Sequence, residues 1–210
     1  MKDIHIFYGV IVVLIIMYLY EDTKNLINEC FYSHNIQSDI DNRIYNVVGG
    51  FTDSKEAANR LSVVHNFMID YMKYLKKNFI IQNKGTLQEN QFITRVLNNY
   101  HPDTLKENDP SPGEDTSYVL NKGDQFGLCL RSKTGSTKGQ FHDFELLKFV
   151  ALHEISHLGT TTFGHNREFW YWFKFVLQQA TASGLYNPVD YSQDPQMYCG
   201  MLVSSNPYYS

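Results

Sequence analysis

The sequence predicts a small α+β domain, rich in helix, with a short antiparallel sheet, behind an N-terminal transmembrane helix. Three observations predict it. Apolar residues recur at helical spacing in several long stretches. Two strand-like runs flank a turn sequence in the second half of the chain. The stretch Ile4 to Tyr20, "IHIFYGVIVVLIIMYLY", holds no Asp, Glu, Lys or Arg. The 210 residues suffice for one compact domain and an appendage. Apolar content of 43% and aromatic content of 15% mark a globular chain, not a disordered one. A net charge of −4 offers no basic footprint, so direct nucleic-acid binding is not expected.

The N-terminal stretch has 17 residues, the short end of what spans a hydrocarbon core as a helix. Tyr8, Tyr18 and Tyr20 lie near its ends, where interfacial aromatics are favoured. A cleaved signal peptide is the alternative, but no A-x-A-like site follows; the next residues are Tyr20, Glu21 and Asp22. The expectation is therefore a single-pass membrane protein, anchored by residues 1–22 in a host or virion membrane. A juxtamembrane linker follows over residues 23–52, ending in the turn signal Gly49-Gly50, and the folded domain occupies residues 53–210.

Asp53 and Glu56 fit a capping box. Behind them Ala57, Leu61, Val64, Met68, Tyr71 and Leu75 mark one face of a long helix that stops near Asn83-Lys84-Gly85. A second helix spans Leu87 to Asn99, with Phe92, Ile93, Val96 and Leu97 inward. "HPDTLKENDPSPGEDTS" carries three prolines and five acidic residues and reads as a solvated connector. Tyr118 to Leu120 and Phe126 to Arg131 then form a hairpin around Asn121-Lys122-Gly123-Asp124. Three widely spaced cysteines, Cys30, Cys129 and Cys199, form no CxxC pair. They leave open one disulfide with a free thiol, or three free thiols; Cys199 reads as a buried thiol.

The chemistry concentrates in the next segment. Asp143 caps a helix that runs to about Leu158, ended at Gly159. It contains H-E-x-x-H: His153, Glu154, Ile155, Ser156, His157. Imidazoles four apart on a helix face one point, and both reach a Zn²⁺ ion at about 2.0–2.1 Å. Glu154 is turned about 100° from His153, so it flanks the metal and reaches a water there. The rest of this helix is apolar nearly all round, which predicts burial. Buried imidazoles need partners, and one cation satisfies both.

A catalytic zinc takes three protein ligands and keeps a position open. His165 is the expected third ligand, eight residues past His157 and beyond the break at Gly159. Asn166 or His165 opens a further helix, with Phe169, Trp172, Phe173, Val176 and Ala180 as its packing stripe. Glu168 is the rival ligand, although it suits the first helical turn better. His5, His34, His65, His101 and His142 lack ligand spacing and read as structural or solvated.

The segment resembles the minimal zincin metallopeptidases of the WLM and SprT-like group. There HExxH is followed by a short loop, then by a His opening a helix with an aromatic three or four residues on. "FGHNREFW" is similar to that second element, with His165 as third ligand and Phe169 or Trp170 as the packing aromatic. The hairpin "SYVLNKGDQFGLCLRS" is similar to the strand edging the cleft in such folds. The tail "GLYNPVDYSQDPQMYCGM" resembles membrane-anchored WLM-like proteins encoded by large DNA viruses. The likeness covers about Thr116 to Leu202. The gap from His157 to His165 is longer than is usual in that group. The metzincin pattern HExxHxxGxxH is not met either.

The resemblance and the motif together imply a zincin-like, zinc-dependent metallopeptidase. Glu154 is its general base, and its substrate is a protein or peptide held by edge pairing along Phe126 to Arg131. An oxyanion-stabilising group is expected; Tyr186, Tyr191 and Tyr198 are the candidates. The alternative is a zinc-stabilised, non-catalytic membrane or virion component with a structural or interaction role. A structural site, however, has no use for Glu154.

Overall fold

The computed structural model describes residues 11, 13–20, 33–109 and 115–210. Residues 13–20 are helical, and their apolar side chains are more than half exposed. Among the described residues no helix is long and apolar enough to cross a membrane. The rest of the expected span, Cys30 and the first part of the expected linker lie outside the described residues.

The linker expectation does not extend to residues 33–48. Strands β1 (Ser33–Gln37) and β2 (Ile44–Val48) form an antiparallel hairpin. Tyr45 and Val47 alternate with outward residues and pack under the first long helix. That period-two signal lies in "IYNVV" and is short enough to pass for a turn approach.

Helix α1 (Ser54–Leu75) buries all six residues of its expected stripe and continues as a π-helical turn, Lys76–Ile81. The positive φ of Asn83 (49°) follows that turn. The capping box proposed for Asp53 is absent: its side chain makes no cap bond. Its carboxylate instead accepts from Arg131 Nη1 at 2.9 Å. Helix α2 (Leu87–Asn99) has the bounds its periodicity predicts, closed by a Thr86–Glu89 capping box.

The acidic connector carries a strand. Leu105–Glu107 (β3) pairs in parallel with β5 (Gln125–Leu128), which also pairs antiparallel with β4 (Tyr118–Leu120). The sheet order is β3-β5-β4, so the sheet beside the histidine helix is mixed, not antiparallel. Glu107 anchors β3 in this position. Its carboxylate is buried, accepts from the Val48 amide at 2.9 Å and pairs with Arg131 Nε at 3.0 Å. The Arg131 guanidinium lies between the Phe51 and Phe141 rings, 4.1 and 4.0 Å from their centroids. Burial pushes the Glu107 carboxyl up, while the amide and the guanidinium hold it down. An acidic residue that looks solvated in sequence thus joins β2 and β3 to Arg131, three residues past β5.

Helices α3 (Phe144–Gly159) and α4 (Arg167–Ala182) complete the core. α3 packs against α1, α2 and α4 and is buried nearly all round, as its composition predicts. Gly159 ends it for a packing reason. A Cβ there would lie 2.4 Å from Phe92 Cε2 and 2.6 Å from Val96 Cγ2. α2 can therefore cross close to the end of α3 only over a glycine.

The tail returns as the hairpin β6 (Gln196–Tyr198) and β7 (Met201–Val203). Cys199, expected as a free thiol, is bonded to Cys129 at the end of β5. The closed segment spans 70 residues and contains both α3 and α4. A loop of that length constrains the unfolded chain by about 4 kcal/mol on the entropic account. Cys199→Ser is therefore expected to lower the unfolding free energy by about that amount. Urea denaturation of the oxidised protein and the variant, followed by fluorescence, measures it.

Candidate functional site

α3 delivers His153, Glu154 and His157, and the segment ahead of α4 delivers His165. The ring nitrogens of the three histidines lie within 4.8 Å of one another. His165 Nε2 is 2.9 Å from His153 Nε2 and 3.2 Å from His157 Nε2. Two nitrogens bound to one tetrahedral zinc lie about 3.3 Å apart, given metal–nitrogen bonds of about 2.0–2.1 Å. The spacing fits a shared cation. Hydrogen bonding fits it less well: one neutral ring nitrogen, as donor or as single-lone-pair acceptor, does not serve two neighbours equally.

Phe169, on the first turn of α4, fixes the three rings. Its centroid is 4.8 Å from that of His153, 4.3 Å from His157 and 4.7 Å from His165. Trp170, the other expected aromatic, reaches only His165, at 5.9 Å, and is 45% exposed. Glu168, the rival ligand, is occupied elsewhere. It accepts from the Thr161 amide at 3.0 Å and from the Thr161 and Thr162 hydroxyls, closing the loop that carries His165. Asn166 caps α4 by accepting from the Phe169 amide at 3.1 Å.

The carbonyls at the end of α3 are held by three side chains that sequence reasoning did not single out. Lys122 Nζ donates to the carbonyls of His157 (3.1 Å) and Thr160 (2.5 Å). Asn99 donates to Leu158 O at 2.8 Å, and Arg95 donates to Gly159 O at 2.6 Å. Lys122 can do this because it sits in the β4–β5 turn at φ 60°, beside Gly123 at φ 126°. A Cβ on Gly123 would lie 1.9 Å from Asn99 O. The turn chemistry was legible in sequence; its contact with the end of α3 was not.

Electrostatics keep the imidazoles neutral. Burial, then the other two rings, push His153 down to about 3. Burial, then His165 and the Lys122 ammonium, push His157 down to about 4. His165 is also lowered, by burial. Burial, with the Asp115 carboxylate second, raises Glu154 to about 8.

Two cavities open beside the cluster. One, of about 220 Å³, borders His153, Glu154, His157 and His165 together with Asp115, Lys122 and the edge strand β4. β5, expected to offer its edge to a peptide, has β3 on one side and β4 on the other; among the described residues the edge strands are β3 and β4, and β4 is the one that borders this cavity. Of the three candidate tyrosines, Tyr198 borders a cavity shared with His153 and Glu154, and its hydroxyl lies 2.6 Å from Ser117 Oγ. Tyr186 is buried against Asn206. Tyr191 packs on Phe149 and borders a separate cavity beside His142. His142 is structural: its Nε2 accepts from the Cys199 amide at 3.3 Å.

The depressed pKa values of His153 and His157 carry a linkage consequence for the metal-free protein. Both folded values lie below the ordinary 6.5, so the unfolded chain takes up protons first as pH falls. No histidine-linked stability is lost above about 6.5, and loss accumulates from there down to about 4 for His157 and about 3 for His153. Glu154, raised to about 8, titrates in the opposite sense. The comparison is therefore made in chelator-treated Glu154→Gln protein, which should show a lower urea midpoint at pH 5 than at pH 7; equal midpoints contradict this. Removing the Lys122 clamp should loosen the cluster without touching a ring. Lys122→Met is expected to weaken zinc affinity by about 10–100-fold, read by competition against a chelating dye.

No family model matches the chain. Among solved structures, a Wss1 mutant from Saccharomyces cerevisiae aligns at 20% identity over 67% of this chain and 92% of its own, with a TM-score of 0.45. Wss1 itself aligns at 17% identity over 66% of this chain and 88% of its own, with a TM-score of 0.41. Uncharacterized protein 136R of Invertebrate iridescent virus 6 is 38% identical over 71 residues, 34% of this chain and 39% of that protein. Uncharacterized protein R325 of Acanthamoeba polyphaga mimivirus is 32% identical over 195 residues, 93% of this chain and 91% of that protein. Likeness of that extent and level means that the chain belongs to the same protein family as the mimivirus protein.

Proposed function

We propose that the chain is a zinc-dependent metallopeptidase that hydrolyses peptide bonds of protein substrates, tethered to a membrane through its N-terminal segment. The observation that carries the reading is the convergence of the Nε2 atoms of His153, His157 and His165 beside an open cavity that the buried Glu154 carboxyl of α3 also borders. His153, His157 and His165 would hold Zn²⁺. When bound, that ion supplies Lewis-acid polarisation of the scissile carbonyl and lowers the pKa of a water toward neutrality.

The chain's own groups do the rest. Glu154 takes a proton from the attacking water and delivers it to the leaving amine. Its raised pKa belongs to the metal-free site; a cation among the neighbouring imidazoles favours the carboxylate form that a base requires. Phe169 keeps the three rings oriented, and Lys122 keeps the end of α3 in place. The free edge of β4 offers backbone groups to an extended substrate at the border of the same cavity. The tether rests on the charge-free run from Ile4 to Tyr20 and on the exposed apolar side chains of residues 13–20.

The test uses the purified full-length protein and a denatured protein substrate, with and without chelator and with zinc returned. Cleavage is expected to require zinc. Glu154→Gln should lose at least about a hundredfold in rate, on the scale of a lost general base, while its zinc content stays at the wild-type level. Full activity in that variant would overturn the mechanism, and chelator-insensitive cleavage would overturn the metal.

A further inference from the structure

A second cavity, of about 410 Å³, meets the first over the cluster. His153, Glu154 and His165 border both, as do Asp115 and Ser117. The two differ in place and in chemistry. The smaller cavity lies toward the C-terminal turn of α3, at His157, and takes Lys122, Asn121 and Thr162 into its wall. The larger reaches about two turns further back along α3, to Phe149 and Val150. Its far wall is Trp170 and Phe173 of α4 and Met201, Leu202 and Val203 of β7. Trp170, Met201 and Leu202 are 45%, 53% and 56% exposed, so the cavity presents apolar surface to water beside charged chemistry.

We propose that this larger cavity is the subsite for one large apolar side chain (aliphatic or aromatic) of an extended polypeptide, next to the bond that is cut. The inference rests on the metallopeptidase reading and names the class of substrate for that site. Three features commit the cavity to this occupant. It is continuous with the reacting groups, since the histidines that would place the scissile bond form part of its wall. The combined length of the two cavities suits a chain. Phe149 to His157 is eight residues of helix, about 12 Å at 1.5 Å per residue, which three or four residues of extended peptide span.

The third feature is that the apolar wall is built in. The β6–β7 hairpin is bonded to the end of β5 through Cys129–Cys199, and the Tyr198 hydroxyl reaches Ser117. The wall is therefore present before substrate arrives, and no ordering of the tail opposes binding. Large apolar side chains beside free extended backbone occur in unfolded or loosely folded segments, because folded proteins bury them. The site thus selects unfolded protein regions.

Cleavage positions mapped by mass spectrometry on a denatured protein mixture, with the full-length zinc-loaded protein, test the inference. One position beside the cut bond is expected to be enriched in Leu, Met, Phe or Ile. Peptides with Leu there should exceed Ala peptides in kcat/KM by about 10–200-fold. Leu202 is exposed, so Leu202→Glu should fold and bind zinc, and its Leu-to-Ala ratio should fall about tenfold. Trp170→Ala provides a second variant, on the α4 part of the same wall, with a decrease in the same ratio. Cleavage without preference at any position, or an unchanged ratio in both variants, overturns the subsite and leaves the metallopeptidase reading standing. No cleavage of any peptide by zinc-loaded protein overturns that reading and the subsite with it.

Discussion

The arrangement depends on one constraint: the last turn of α3 must stop within reach of the first turn of α4 while both are packed in the core. α3 is buried nearly all round, so it has no polar face on which to carry its histidines. They can be retained only if their nitrogens meet partners at the point where the helix ends. The 2.9 and 3.2 Å approaches to His165 provide that meeting point. Phe169 makes the approach specific. A fully buried ring in contact with all three imidazoles leaves them few other orientations. Gly159 makes it possible, because α2 crosses where any side chain would strike Phe92.

The long stretch from His157 to His165 follows from the same constraint. A longer loop costs little in closure entropy, but it needs hydrogen-bond partners for its backbone. Those partners come from both directions. Lys122, Asn99 and Arg95 hold carbonyls from His157 to Thr160, and Glu168 holds the Thr161 amide and two hydroxyls. The third histidine is thus mounted on a segment fixed by side chains from α2, the β4–β5 turn and α4. A carboxylate that could have competed for a cation is engaged in fixing the loop instead.

How much of this could be read in the sequence varies with the range of the interaction that decides each element. α2 has its predicted bounds because its cap, its stripe and its end are local signals. The stripe of α1 is legible for the same reason. The histidine spacing on α3 is helical geometry, so the convergence of His153 and His157 could be read directly, and His165 followed from its position after a break. β3 was not legible, because Glu107 looks like a solvated acid until Arg131, 24 residues away, is brought beside it. The cap at Asp53 failed by the same route, since Arg131 takes that carboxylate from 78 residues away. The Cys129–Cys199 pairing and the cavity wall at β7 depend on where the tail returns, which no local pattern encodes.

The charges around the cluster have a consistent sense. The C-terminal end of a helix carries partial negative charge, which would by itself favour protonated imidazoles. Burial opposes this, and Lys122 sits on the end carbonyls, offsetting their field and lowering His157 further. His157 and His165 lower His153 as well, and His165 lowers His157, since no two rings can easily be charged at such short range. The outcome near neutral pH is three uncharged rings whose Nε2 lone pairs face one point, with a carboxyl alongside that burial holds in its protonated form. A site in that state is short of positive charge without being negative. Such a site suits the proposed zinc ion, because a dication there would meet three lone pairs at once and draw the neighbouring carboxyl into its ionised form. The same burial that makes the helix hard to read as a polar surface therefore prepares its end for a metal.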